Sequence, residues 1–484
     1  MDDGGKFKDV WHVTTDKNKL NASSCRFLWP SHQRTLLAAC LRPSCKASLT
    51  QSSAQSDSNL LRVATTGNTI SNGKHYIAGE GEDAFDIIHI WGTPYEMGRA
   101  HGLLMGDKVK IMADAVWSYL EQQIIDPINR TIHLQEWFLE DVANFGLDVA
   151  LDLELLATDK YTGDYFFEEA RGLAEAAGID YKKLLRIHMI GELTKGSCSM
   201  VGAWGGSVST PDSLLQLRAL DWVVDGPFKE HPQVTVYHPT NVSNGHAFAN
   251  FGWTSWIGSI TGMSSQRMAI SEIGVSFPDE SFGKESRFGI PFTFVLRDIL
   301  QFDKTLNDSI KRITEAHRTC DLILGVGDGK EKEFRGIQYS ASVANFFTDT
   351  NLEPKQDWHP RITDIVYFGM DWLCPGYSEV LARQLTLYHG NLTAELLMRE
   401  VVPIVQTGSL QVAVYNLTSN MVLLANARAS YETGPDNAYE SVPDSVQGRR
   451  RYGGKGKEMG IPHKKLASRQ VRPLTPHSPK TIRS

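Results

Sequence analysis

The sequence has no run of apolar residues approaching the roughly 18–20 that a membrane-crossing helix needs, so no helical span is expected among its 484 residues. Cysteine is scarce, with six in the whole chain and no Cys-x-x-Cys spacing. That argues against a disulfide-dense scaffold and against a zinc site of the common type, and no metal or cofactor is expected. Charge of one sign is also scarce: the net charge of -7 is too mild to imply a nucleic-acid partner. No internal repeat is evident. The apolar run Leu36-Leu37-Ala38-Ala39-Cys40-Leu41 is too short and too late for a signal-peptide core.

What is present is an ordinary globular composition, 41% hydrophobic and 22% charged, in a chain long enough for a large core. Sequons of the Asn-x-Ser/Thr type occur at Asn21, Asn129, Asn241, Asn307, Asn391 and Asn416, most of them where surface is expected. They point to a lysosomal or secreted protein. This conflicts with the missing leader, and a faulty N-terminus is a better expectation than a coincidence of sequons. In an oxidising compartment Cys320 and Cys374 could pair or stay free.

Four regions are expected. Residues 1–75 are polar and weakly patterned and read as disordered. Residues 76–197 read as mainly helical after one strand at 85–91. Thr93, Pro94 and Glu96 start a long helix to about Ile125, and further helices are predicted at about 134–157, 164–177 and 180–194. From residue 198 to 440 the texture turns to strands interrupted by helix pairs, which suggests two packed sheets with helices outside. Residues 441–484 are basic and Gly/Pro-rich and read as a disordered tail.

The change of texture falls at Cys198, in Gly196-Ser197-Cys198-Ser199-Met200. A hairpin partner follows, ending Arg218-Ala219-Leu220-Asp221-Trp222. A free thiol with pKa about 8.5 is only a few per cent thiolate at neutral pH and needs a base or a nearby cation. If the chain is cut before Cys198, the new α-amine, with pKa about 7.7–8.0, supplies that base from the same residue. Arg218 would favour the thiolate and Asp221 would hold the ammonium. Side chains three apart on a regular strand point to opposite faces, so this pair needs a bulge or a strand end. Each feature alone has a plainer reading, as a small buried residue or a surface ion pair; the combination is more specific. Trp204, Trp222, Trp253 and Trp256 are expected near the site, as core or as an apolar acyl pocket.

The constellation resembles the N-terminal-nucleophile (Ntn) hydrolase amidases: choloylglycine hydrolases, penicillin V acylase, acid ceramidase and the acyl-coenzyme A:6-aminopenicillanic acid acyltransferase group. The resembling stretches are Gly92–Gly102, Glu168–Ala174, Cys198 with Arg218 and Asp221, Gly262–Glu272, and Thr350-Asn351 with Asp357-Trp358-His359. Ser264 replaces an expected Asn, and Glu272 favours the acid-ceramidase side. The resemblance implies an α+β fold, a four-layer αββα sandwich preceded by a helical pro-segment. It implies Cys198 as nucleophile and Arg218, Asp221, Glu272, Asn351 and Arg361 as further site residues, with Asn351 as an oxyanion donor. The implied activity is self-cleavage followed by hydrolysis of a small-molecule N-acyl or lipid amide, with lipid or membrane-surface contact and with the two fragments of its own precursor as partners. An acyltransferase, or a catalytically silent binding protein of the same fold, are the alternatives. A papain-like protease would need a general base among His188, His231, His238 and His246.

Overall fold

The computed structural model describes residues 25–28, 64–78, 84–125, 133–222, 224, 226–275 and 281–427. The tail at 441–484, most of 1–75, Cys40, Cys45, Asn21 and Asn129 lie outside the described residues. The described residues all belong to the compact unit Met1–Val446.

Before the junction at Cys198 the chain forms β1 (Cys25–Leu28), β2 (Ala64–Ile70), β3 (Gly73–Ala78), β4 (Phe85–Gly92) and α1 (Pro94–Ile125). Then come β5 (His133–Leu134), α2 (Glu136–Phe145), α3 (Leu147–Thr158), α4 (Asp164–Ala177), α5 (Tyr181–His188), α6 (Ile190–Leu193) and β6 (Thr194–Lys195). Regular structure thus begins before Tyr76, because β2 and β3 form a hairpin that the polar composition concealed. Glu96 accepts from the Thr93 N–H at 2.8 Å, which fixes the start of α1. The single helix expected at 134–157 is two, broken at Gly146, whose φ of 85° is left-handed.

After the junction come β7 (Ser197–Ala203), β8 (Leu215–Asp221), β9 (Pro232–Pro239), β10 (Phe248–Trp253), β11 (Gly262–Ser264) and β12 (Met268–Gly274). Next are α7 (Phe292–Phe302), α8 (Leu306–Glu315), β13 (Leu322–Asp328), β14 (Glu333–Tyr339), β15 (Ala344–Phe347) and β16 (Ile365–Met370). The chain continues with α9 (Pro375–Leu387), α10 (Ala394–Leu396), α11 (Val402–Val405), β17 (Gln411–Asn416) and β18 (Met421–Asn426). The fold class is α+β.

A six-stranded sheet has the order β1-β18-β17-β8-β7-β16. A ten-stranded sheet has the order β15-β14-β13-β12-β11-β10-β9-β4-β3-β2. The two meet face to face: a Cβ at Gly202 of β7 would strike the Phe334 ring of β14, and one at Gly325 of β13 would strike Met200. Helices α7 and α8 pack on β10–β13 of the large sheet, and α9 and α10 pack on β16 and β17 of the small one. The region before the junction is part of the same body. Its β4 pairs in parallel with β9, and α1 lies so close along α4 that Gly98 and Gly172 leave no room for a side chain.

Candidate active site

In the β7–β8 hairpin, Ser197 pairs with Asp221, Cys198 with Leu220 and Met200 with Arg218. Alternate residues take opposite faces. Met200 and Arg218 therefore point into the space between the sheets, where Arg218 Nη2 donates to Glu272 Oε2 of β12 at 2.9 Å. Arg218 is fully buried, and its Nε and Nη1 have no hydrogen-bond partner among the described residues. Asp221 faces the other way, at the end of β8. The pair is thus split across the sheet, as strand geometry requires, and both groups act on the residue between them.

Cys198 is buried, and burial pushes its thiol up to about 12. The Arg218 charge and the Asp221 N–H pull it down, while Glu272 and Asp221 carboxylates push it further up. In the uncut chain the thiol is therefore un-ionised near neutrality. Asp221 is also pushed up by burial and held back by hydrogen bonds. Its Oδ2 accepts from Thr407 Oγ1 at 2.5 Å, and its Oδ1 accepts from the N–H groups of Gly408 and Ser409 at 2.8 and 2.9 Å. Gly408 has a φ of 84°, which lets two successive N–H groups converge on one oxygen.

A cavity of about 60 Å³ opens beside Cys198 and Glu272. Trp222, Phe228, Trp253, Trp256 and Phe292 give its wall an aromatic face. One side is Ile190, Gly191, Thr194 and Gly196, from the segment leading into the junction. A Cβ on Gly274 would strike the Gly196 backbone, so β12 presses directly on that segment. Typical ligand pockets are about 300–1,000 Å³; this one has room for only a few atoms.

No family model matches the sequence. Among curated proteins, the chain is 33% identical to protein dcd1A of Dictyostelium discoideum over 390 residues, covering 78% of this chain and 86% of that protein. The chain belongs to the dcd1 family. Protein dcd1B of the same organism is 34% identical, covering 74% of this chain and 71% of its own length. An uncharacterized protein of Archaeoglobus fulgidus is 24% identical over 56% of this chain and 46% of its own. Among solved structures, the Caenorhabditis elegans ortholog of N-acylethanolamine-hydrolyzing acid amidase aligns with 46% of this chain and 93% of its own, at 14% identity and a TM-score of 0.35.

In this dcd1-family chain the structure brings Cys198, Arg218, Asp221 and Glu272 together. It does not bring Asn351 or Arg361 to them. β16 runs antiparallel to β7, with Met370 opposite Cys198 and Ile365 opposite Ala203. The loop before β16 therefore lies at the far end of β7. Asn351 is exposed there, and its side chain serves its own turn, accepting from the Thr348 N–H at 2.6 Å and donating to Phe346 O at 3.2 Å. Arg361 donates to Leu352 O at 2.9 Å and pairs with Glu353 at 2.8 Å. His359 of the same loop is committed to Pro354 O and Tyr367 O. Asn351, expected as an oxyanion donor, is thus placed away from Cys198 in this structure. Trp204 also sits at that far end, its N–H on Asp364 O.

No histidine lines the cavity among the described residues. His188 stacks on Trp256, but one ring nitrogen bonds Leu184 O and the other accepts the Ile257 N–H. Cys320 and Cys374 are free thiols. Sequence reading missed β16, whose Ile365–Met370 run is an unbroken apolar stretch between two aspartates, the pattern of a doubly covered strand. It also missed Thr407-Gly408-Ser409, for which a Gly in a Thr/Ser turn before a strand was the available signal.

Proposed function

We propose that this chain is a self-processing Ntn hydrolase of αββα architecture that cleaves N-acyl amides. The observation that carries the reading is the convergence on Cys198 of a carboxylate at the strand end and a buried arginine, with N–H groups unpartnered and no histidine at the cavity among the described residues. In the first step the Cys198 sulfur adds to the Ser197 carbonyl carbon. The C–N bond breaks, the thiol proton goes to the departing nitrogen, and water hydrolyses the thioester. Residue 198 then carries an α-amine beside Asp221. This amine takes the thiol proton when Sγ attacks a substrate carbonyl. It delivers that proton to the leaving amine, and water releases the acid.

Cutting also frees the 190–197 wall of the cavity. That supports a wider pocket in the cut form, and the aromatic lining favours an apolar acyl group over a peptide. Exposed sequon residues Asn241, Asn307 and Asn391 fit a lysosomal or secreted setting. The test is a denaturing gel with N-terminal sequencing of the purified chain. Two fragments are expected, the second beginning at Cys198, and one uncut chain for Cys198→Ala. Amide-cleaving material that is intact across residues 197–198 would overturn the proposal.

A further inference from the structure

The hydroxyls of Ser199 and Thr407 form a directional chain into Asp221. Thr407 Oγ1 lies 2.5 Å from Asp221 Oδ2 and 2.8 Å from Ser199 Oγ. Ser199 Oγ in turn accepts from the Met370 N–H at 3.2 Å. A carboxylate can only accept, and a hydroxyl has one proton. Thr407 therefore donates to Asp221, and Ser199 donates to Thr407. The chain runs from the β16 backbone through β7 and the 407–409 turn to the end of β8. Ser199 and Thr407 are both completely buried, so the donors are held in place and are stronger than they would be in water.

We infer that Thr407, backed by Ser199, is the positioning residue that keeps Asp221 ionised and aimed at the residue-198 amine; this rests on the Ntn reading above. Without it, Asp221 would retain two backbone donors on Oδ1 and none of these three contacts on Oδ2. Among the described residues, the charged and titratable groups acting on this carboxylate are few. Arg218 on β8 attracts it, the Cys198 thiol on β7 faces the same field, and the 407–409 turn brings only neutral donors. Burial already pushes Asp221 up. Removal of a donor to its charged form moves it further the same way. The acid limb of any step that needs the carboxylate must then move to higher pH.

The experiment compares unmutated chain, Thr407→Val, Thr407→Ser and Ser199→Ala. Each is assayed from pH 3.5 to 8 for hydrolysis of an N-dodecanoyl amide of 7-amino-4-methylcoumarin, with folding checked by near-UV circular dichroism. Thr407→Val keeps the shape and loses the donor; its acid limb is expected to rise by about one unit, the shift of a charge-assisted hydrogen bond. Thr407→Ser should restore the native limb, and Ser199→Ala should give a smaller rise. A lower rate for Thr407→Val with an unchanged limb would reduce Thr407 to packing and overturn the inference alone. If Thr407→Val does not fold, an unchanged limb in Ser199→Ala overturns it. Failure of the unmutated chain to be cut before Cys198, or to hydrolyse the probe at all, overturns the Ntn reading, and the inference falls with it.

Discussion

Arg218 and Glu272 form a 2.9 Å ion pair between the two sheets, with Cys198 lining the same cavity as Glu272. Both partners are buried. Removing one member of such a pair leaves a buried charge alone, at a cost of about 3–5 kcal/mol. Glu272→Ala should therefore show a large loss in a urea titration, and Glu272→Gln, which keeps an acceptor for Arg218, a smaller one. The Glu272 carboxylate also raises the Cys198 thiol. In Glu272→Gln, alkylation of Cys198 by iodoacetamide should begin at lower pH than in the unmutated chain.

The far-end loop gives a contrasting expectation. Asn351 and Arg361 serve the turn before β16 and touch nothing at Cys198. Asn351→Ala and Arg361→Ala should self-cleave and hydrolyse within about twofold of the unmutated chain, whereas loss of a true oxyanion donor costs about 10²–10³. A crippled Asn351→Ala with native stability would return that residue to the site.

If the chain is cut before Cys198 as proposed, its two products should stay together without a covalent link. Glu169 of α4 pairs with Arg297 of α7 at 2.5 Å, both fully buried. Tyr165 bonds Asp298 at 2.5 Å, and the Glu192 carboxylate accepts from the Phe292 N–H and from Thr319 Oγ1. A cut sample should elute from a sizing column as one species near the mass of the uncut chain. Glu169→Ala should lower the urea concentration at which the two fragments part.

Glu154 of α3 predicts a pH dependence of stability. Burial, and then repulsion by Glu192, push its carboxyl to about 8, against the attraction of Arg287. Its unfolded pKa is about 4.3, so the folded chain favours the protonated form. The contribution is fully present below about pH 4.3 and is lost as pH rises through about 8. Relative to the unmutated chain, Glu154→Gln should be equally stable at pH 4 and more stable at pH 9. A gain at pH 4 instead would reverse the sign. Urea midpoints at the two pH values decide it.

Much of the architecture was legible in local pattern. The α4 helix lies where its apolar spacing placed it, and the β7–β8 hairpin lies where the change to strand-like texture at Cys198 placed it. Asp221 at a strand end was required by the two-residue period once Arg218 and Asp221 were both to act at Cys198. What local pattern does not report has one cause. The Thr350-Asn351 motif was placed by its residue types, but the end of the sheet it reaches depends on the direction of β15 and β16, and β16 had gone unread. The Thr407 turn was invisible because its partner, Asp221, is 186 residues away in sequence, and no local period reports such a contact.

The parallel pairing of β4 with β9 has a practical consequence for anyone seeking a shorter chain. Production of residues 198–484 alone would strip three strands from one flank of the large sheet. β9, with its buried Val234 and Val236, would then present a bare, sticky margin. The piece that carries the thiol is thus expected to clump unless the other half is made alongside it, because the first half of the chain supplies a flank of the large sheet whether or not its bond to the second is kept.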